Sequence, residues 1–289
     1  MAEATKPNPQ TNHPDVPKTR KAFVPLENNP EVMTSLVHKL GLSPALSFHD
    51  VYSISDPDML AFVPRPAAAL LLVFPVSASY ETSRMDEDKE KPEYEGKGEG
   101  EPVVWYKQTI RNACGLIGIL HALSNGLATN FIACLVSSCS VGHDCTSGVE
   151  WSMLIFDDGD CVEPDSDLHK LVKDAIPLAP AQRADLLYNS QALESAHQSA
   201  ATQGDSVAPA AEDNIDLHYV CFVKDEKSNL WELDGRRKGP LNRGALGVDE
   251  DVLSEKALEL GVKKFLAREE AAGGGELRFS VIALAQSLD

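Results

Sequence analysis

Residues 67–76, AAALLLVFPV, contain no polar side chain. Bounded by Pro66 and interrupted near its end by Pro75, the run predicts a strand buried on both faces rather than an amphipathic helix. A strand without a polar face has to lie inside a sheet that is covered on both sides, so helices must pack against it. The rest of the chain supplies them. Pro30–Leu40 places Val32, Leu36, Val37 and Leu40 at helical spacing, with Pro in the first turn and Gly41 as a stop. Cys114–Leu123 (CGLIGILHAL) is apolar nearly all round and predicts a buried helix. Its two inner glycines lower helix propensity and point to close backbone packing. Leu168–Ile176, Pro180 to about Gln198, and Asp249–Glu270 read as further helices, the last ended by Gly273, Gly274 and Gly275.

Ser47–Ser53, Leu217–Lys224, Asn229–Leu233 and Leu277–Leu284 read as strands, the middle two joined by a short hairpin turn. Helices and strands alternate irregularly and no repeat is visible, which gives an α/β (α+β) class without a simple Rossmann order. Residues 1–21 have almost nothing to bury and are expected to be a disordered tail ahead of one domain, 22–289. The charged stretch Arg84–Glu101 predicts a solvated mobile loop, and Ala200–Asp216 a long flexible one.

Charge narrows the function classes. The 289 residues carry 44 acidic against 26 basic side chains, a net charge of −18. That balance speaks against nucleic acid and against docking on anionic lipid, so neither nucleic acid nor membrane is expected as a partner. It is compatible with a basic macromolecule entering an acidic cleft. The first 21 residues lack the apolar core of a secretory signal, and six cysteines are too few for a disulfide scaffold. A cytoplasmic protein is expected, with the nucleus open as a second compartment.

The segment Gln108–Gly115, QTIRNACG, carries the chemistry. A cysteine opening a helix sits among free N–H groups at the positive end of the dipole, which favours thiolate. The Gln108 amide, six residues earlier, could join the Cys114 backbone N–H as an oxyanion hole. His218, at the start of the strand HYVCFV, is the best candidate base, and Asp234, ending LWELD, could hold its tautomer from the adjacent strand. The bland readings stand beside these. A cysteine in apolar context is commonly a small buried hydrophobe, His218 could be a satisfied sheet-edge residue, and Asp234 a turn residue before glycine. Of the other histidines, His121 falls inside the buried helix, while His38, His169 and His197 fall on helix surfaces.

QTIRNACG with the following LIGILHALSNG strongly resembles the active-site segment of the ubiquitin carboxyl-terminal hydrolases, a family of thiol proteases. FVPLENNPEV, MLAFVPRP, DLHYVCFV, LWELDGRRKGP and LRFSVIAL look like the corresponding family segments, over roughly 22–132 and 162–289, in the style of fungal members. The resemblance implies a papain-like fold with a mainly antiparallel central sheet, a knotted backbone, and a crossover loop at 200–216 striding over the active-site cleft. It implies Cys114 as nucleophile, His218 as general base and acid, Asp234 as the residue that orients it, and Gln108 in the oxyanion hole. The implied activity is cleavage of small adducts or unfolded peptides from the C-terminal glycine of ubiquitin through a Cys thioester. No metal or organic cofactor is expected. The implied partner is ubiquitin or a ubiquitin-like modifier, and the enzyme is expected to be a monomer.

The chain departs from the family pattern at 133–161, which holds Cys134, Cys139, Cys145 and Cys161. Three readings compete. A metal-binding insert would use Cys139, His143 and Cys145, but no paired CxxC is present. A tolerated surface insertion is the second. The third, a retained intron, accounts best for the clean join of the flanking motifs, and a mature message that includes the segment would remove it. The rival function from another class is a catalytically impaired ubiquitin-binding protein, disabled by this insertion. Phe23 stands where many relatives carry Trp, a packing variation.

Overall fold

The computed structural model describes residues 21–132, 166–205, 209–211, 213, 215–273 and 278–288. The expected tail therefore lies outside the described residues except for Lys21, whose ammonium donates to the Tyr188 carbonyl at 2.9 Å and pairs with Glu194 at 2.7 Å. The segment 133–161, with its three readings, lies wholly outside them, and so does the chain path through 133–165.

Along the chain, α1 is Pro30–Leu40, β1 Leu46–Asp50, α2 Pro57–Leu60, β2 Ala69–Pro75 and α3 Ala78–Asp88. There follow α4 Cys114–Leu123, a 3-10 turn Gly126–Phe131, α5 Asp167–Ala175, α6 Pro180–Asn189 and α7 Gln191–Ala201. The second half comprises β3 Leu217–Lys224, β4 Asn229–Leu233, β5 Leu241–Ala245, α8 Glu255–Leu260, α9 Val262–Ala271 and β6 Ser280–Gln286. The strands form one six-stranded sheet in the order β1-β6-β2-β3-β4-β5, each pair antiparallel. The mixed α/β class and the mainly antiparallel sheet flanked by helices are as the sequence led one to expect.

The apolar run behaves as its composition requires. Every residue of β2 is buried, and its side chains feed two cores. Ala69, Leu71 and Val73 pack with α1 and α4 through α7. Leu70, Leu72 and Phe74 pack with α3, α8 and α9 on the other face. The glycines of α4 allow it to lie close to the sheet. A Cβ at Gly118 would meet Leu71 at 3.2 Å, and one at Gly115 would meet Tyr219 at 3.4 Å.

Several boundaries differ from expectation, each for a local reason. The single helix expected over 180–198 is two, because Ser190 ends α6 and caps α7 by accepting the Leu193 N–H at 3.2 Å. The helix expected over 249–270 breaks at Gly261, where a Cβ would lie 2.9 Å from the Phe222 ring. Strand β5 and the short α2 carried no clear pattern. His197 is buried rather than on the surface: its Nε2 lies 2.7 Å from the Val24 carbonyl, and its ring packs 4.6 Å from that of Phe23.

The largest correction concerns Arg84–Glu101. Its first residues, 84–88, are not loop but complete α3, whose buried face is Tyr80, Arg84 and Asp88 at four-residue spacing, while 89–101 form neither helix nor strand and are mostly exposed. Glu87 and Asp88 of this stretch pair with arginines that follow β4. Arg237, 2% exposed, pairs with Asp88 at 2.7 Å and also with Glu87, while Arg243 bridges Glu87 and the buried Glu232. Beyond α3, the Tyr94 N–H donates to the Lys238 carbonyl at 2.8 Å. A run of charge reads as loop because composition does not reveal the partners that the fold brings to it.

Arg183 is the tightest of these fixtures. It is fully buried on α6, pairs with Glu101, and donates to the carbonyls of Ala175, Ile176 and Trp105. Arg183→Met keeps much of the volume but strands a buried carboxylate and three carbonyls. Losing one partner of a buried pair costs about 3–5 kcal/mol. The expected outcome is a loss of that size in urea unfolding; a loss below about 1 kcal/mol would show the pair to be solvated.

Candidate active site

Cys114 is the first residue of α4, and what precedes it shapes its surroundings. Asn112 adopts φ 55°, the left-handed region that asparagine tolerates better than most residues, and turns the chain into the helix. The N-cap, Ala113, offers no side-chain acceptor. The first N–H groups of α4 are thus left for something other than a capping side chain. The half-buried Cys114 Sγ lies 3.9 Å from the carbonyl oxygen of Leu217, the residue before His218.

His218 sits second in β3, paired in register with Phe74 of β2, whose ring meets it edge-on at 5.9 Å between centroids. Its Nε2 lies 2.8 Å from Asp234 Oδ1. Both residues are buried. Burial by itself would push the imidazole down, but the Asp234 carboxylate and, after it, the Cys114 thiol act in the opposite direction and raise His218 to about 9. The ring therefore carries a proton at neutral pH, beside the sulfur.

Asp234 follows β4 and is held on every side. Its Oδ1 also accepts the Arg236 N–H at 2.9 Å, its Oδ2 accepts the Tyr80 hydroxyl, and its backbone carbonyl accepts Trp105 Nε1 at 3.1 Å. Burial disfavours its charge, yet the His218 charge and these hydrogen bonds outweigh burial and hold the carboxyl well below the usual carboxylate range. Gly235 comes next because the chain passes close to the segment before the helix. A Cβ there would lie 3.0 Å from Gln108 Cβ and 2.9 Å from Ile117. The Gln108 N–H donates to the Gly235 carbonyl at 2.9 Å. The Gln108 side-chain amide gives one hydrogen to the Ile110 carbonyl at 3.3 Å, and its Oε1 is buried without a hydrogen-bond partner among the described residues. The second amide hydrogen remains for another acceptor.

All four residues singled out from the sequence thus lie on elements that the fold packs together: the start of α4, the segment leading to it, and the beginnings and ends of β3 and β4. Tyr80 was not foreseen. Its signal was the spacing of Tyr80, Arg84 and Asp88, hidden at the edge of a charged run. Tyr80 is buried between Phe74 and Phe265, with the Arg268 guanidinium 5.4 Å over its ring. Burial first, and then the Asp234 charge, keep its hydroxyl protonated, so it remains a donor. Tyr80→Phe preserves the ring and deletes the donor. It should lower stability by about 1–3 kcal/mol and reduce kcat several-fold with little change in KM. An unchanged kcat together with an unchanged melting temperature would show that the hydroxyl does not hold Asp234.

The arrangement can do thiol chemistry: a sulfur at a helix N-terminus, a protonated imidazole beside it, a buried carboxylate fixing that ring, and spare N–H donors nearby. Among the described residues no group of three His, Cys, Asp or Glu side chains could hold an ion. The Cys139, His143 and Cys145 set falls outside them. No helix among the described residues is long and apolar enough to cross a membrane.

Comparison with known proteins agrees with this chemistry. The sequence profile of ubiquitin carboxyl-terminal hydrolase, family 1, matches residues 23–138 and 154–267. Ubiquitin carboxyl-terminal hydrolase 3 of Arabidopsis thaliana is 34% identical over 267 residues, covering 92% of this chain and 95% of its own. Ubiquitin carboxyl-terminal hydrolase YUH1 of Saccharomyces cerevisiae is 30% identical over 270 residues, covering 91% and 96%. In fold, the chain is similar to the catalytic domain of Trichinella spiralis UCH37, solved bound to ubiquitin vinyl methyl ester. That similarity has a TM-score of 0.60 at 18% identity, covering 92% of this chain and 95% of the other.

Proposed function

This chain belongs to ubiquitin carboxyl-terminal hydrolase family 1 and is a cysteine-type deubiquitinating hydrolase, and we propose that it releases small adducts or unfolded peptides from the C-terminal glycine of ubiquitin. The observation that carries this reading is the 2.8 Å contact between His218 Nε2 and Asp234 Oδ1, with the Cys114 thiol acting on the same ring.

In this reading the Cys114 thiolate attacks the carbonyl of the terminal glycine. The developing oxyanion is met by the Cys114 backbone N–H and the free hydrogen of the Gln108 amide. His218 passes its proton to the leaving amine, and the acyl group stays on sulfur as a thioester. Water, deprotonated by His218, then displaces the sulfur and frees the carboxylate. Asp234 fixes the imidazole throughout, and no cofactor takes part. Ubiquitin's tail, with arginines before its Gly-Gly end, suits an acidic surface such as the one lined by Glu27, Glu31, Asp50 and Asp205. We take residues 22–289 as one catalytic domain, 133–161 as an insertion into it, and the cytoplasm as its compartment, with the protein acting as a monomer.

The direct test is hydrolysis of ubiquitin carrying a small fluorogenic group on its C-terminus. Turnover at a conventional thiol-protease rate is expected. Absence of turnover, with ubiquitin still bound, would overturn the catalytic reading.

A further inference from the structure

The two residues that bracket His218 stand on separate elements, Cys114 at the start of α4 and Asp234 just past β4. One strip of chain, 104–108, is bonded to both sides. Toward the helix, the Val104 N–H donates to Asn125 Oδ1 at 2.7 Å, and the Asn125 amide donates back to the Val104 carbonyl at 2.9 Å. The Tyr106 N–H donates at 2.9 Å to Nε2 of His121, two turns beyond Cys114 on α4. Burial, the largest influence on His121, pushes it down to about 3, so the ring stays neutral and Nε2 remains an acceptor at neutral pH. Toward the acid, Trp105 Nε1 donates to the Asp234 carbonyl at 3.1 Å and the Gln108 N–H to the Gly235 carbonyl at 2.9 Å.

Trp105 is itself held. It is buried, its ring meets that of Tyr94 edge-on at 6.2 Å between centroids, and its carbonyl accepts Arg183 Nη1 at 3.3 Å. We propose that Trp105 is a positioning residue for the hydrolase: its indole N–H fixes the main chain of Asp234 relative to the nucleophile helix and so keeps the carboxylate on His218. This rests on the hydrolase reading given above.

Other donors to Asp234 act differently. Tyr80 and the Arg236 N–H bond the carboxylate oxygens, so they orient the side chain but not the peptide it projects from. The Arg237 N–H reaches the Asp234 carbonyl at 3.2 Å, yet it belongs to the same turn and travels with it. Trp105 reaches that carbonyl from 129 positions away, on a strip tied to α4. With its N–H gone, the Gln108 bond to Gly235 is left to tie strip to turn, one residue further from the carboxylate. The turn can then shift against the helix, which lengthens the 2.8 Å contact between Asp234 Oδ1 and His218 Nε2. A neutral hydrogen bond shifts an equilibrium by about threefold to tenfold, which bounds the effect.

The test exchanges a single group. Trp105 is replaced by benzothienylalanine, which keeps the bicyclic ring and puts sulfur in place of the N–H. The control is the same exchange at Trp231, whose Nε1 donates to Asp225 Oδ2 at 2.8 Å in the turn between β3 and β4. On ubiquitin carrying a small fluorogenic group, the Trp105 exchange should lower kcat by about threefold to tenfold while KM changes by less than about twofold. It should also move the alkaline limb of the pH–rate profile to lower pH by about half a unit. The Trp231 exchange should leave both where they are. An unchanged kcat, an unmoved limb, or an equal effect from Trp231 overturns the proposal, since a packing defect does not act on the His218 titration alone. A second readout needs no turnover. The His218 ring, raised to about 9 in the parent, should titrate about half a unit lower by NMR in the Trp105 exchange, and an unmoved titration overturns the positioning role. If the parent hydrolyses nothing, the hydrolase reading fails, and this titration alone judges whether Trp105 keeps Asp234 on His218.

Discussion

Cys114→Ala is expected to lower turnover of a fluorogenic ubiquitin adduct by ~10⁴–10⁶-fold, the scale on which removal of a catalytic nucleophile acts. Ubiquitin affinity should change by less than about threefold. The substitution deletes one sulfur atom from a half-buried position and leaves α4, its uncapped N-terminus and the acidic surface as they are. Without the thiol no acyl group can be transferred, and the His218 proton has no leaving amine to serve. Two measurements decide it: kcat/KM on the adduct, and the dissociation constant for ubiquitin by calorimetry. A variant that keeps a hundredth or more of the activity would move the nucleophile elsewhere. A variant that loses ubiquitin altogether would make Cys114 a structural residue.

The second large effect is expected from Asp234→Asn, a loss of ~10³–10⁴ in kcat, the size seen when the orienting acid of a triad becomes an amide. The change is nearly isosteric, so Tyr80, Trp105 and the Arg236 N–H can stay in place. What disappears is the buried negative charge that holds His218 up at about 9 against the desolvation that pushes it down. With that charge gone, burial prevails, and the ring is neutral near pH 7. The alkaline limb of the pH–rate profile should accordingly move to lower pH in the variant, a displacement that simple loss of packing would not produce.

The same pair sets a stability window. His218, raised on folding, contributes fully below its unfolded pKa of about 6.5 and loses that contribution as pH rises through about 9. Asp234, depressed on folding, contributes above its unfolded value of about 3.9 and loses that contribution as the solution is acidified further. The parent should therefore be most stable between about pH 4 and 6.5 as far as this pair is concerned, and Asp234→Asn should flatten both flanks of a plot of urea midpoint against pH. An unaltered alkaline limb together with unaltered flanks would mean that the carboxylate does not govern the histidine.

How much of this was legible beforehand depends on where each signal resides. The apolar run 67–76 and the helix 114–123 could be read because burial on all sides is written directly into composition. Strand β5 could not, since LNRGA has no apolar alternation and is paired through Arg243 to carboxylates on α3 and β4. Nor could the order of α3, whose residues look soluble until Arg237 and Arg243 arrive from 150 residues away. Breaks at Ser190 and Gly261 were missed because a capping hydroxyl and a neighbouring Phe222 ring decide them, not periodicity. In the candidate site, Cys114, His218, Asp234 and Gln108 stood out by chemical type and flanking pattern. Tyr80 did not, because it acts through a partner distant in sequence.

By itself, then, the sequence determined which segments must be buried, which side chains are chemically able to attack, to move a proton and to stabilise an oxyanion, and which family the motifs resemble. These follow from local composition and from the intrinsic reactivity of thiol, imidazole and carboxylate. Only the tertiary structure decided that burial would be outweighed at His218 and Asp234, that Tyr80 would close the far side of the carboxylate, and that the Asn112 amide would reach the carbonyls of Ala211 and Asp213. Each of those depends on hydrogen bonds between residues 16 to 154 positions apart, and on a local dielectric that exists only once the sheet is covered on both faces.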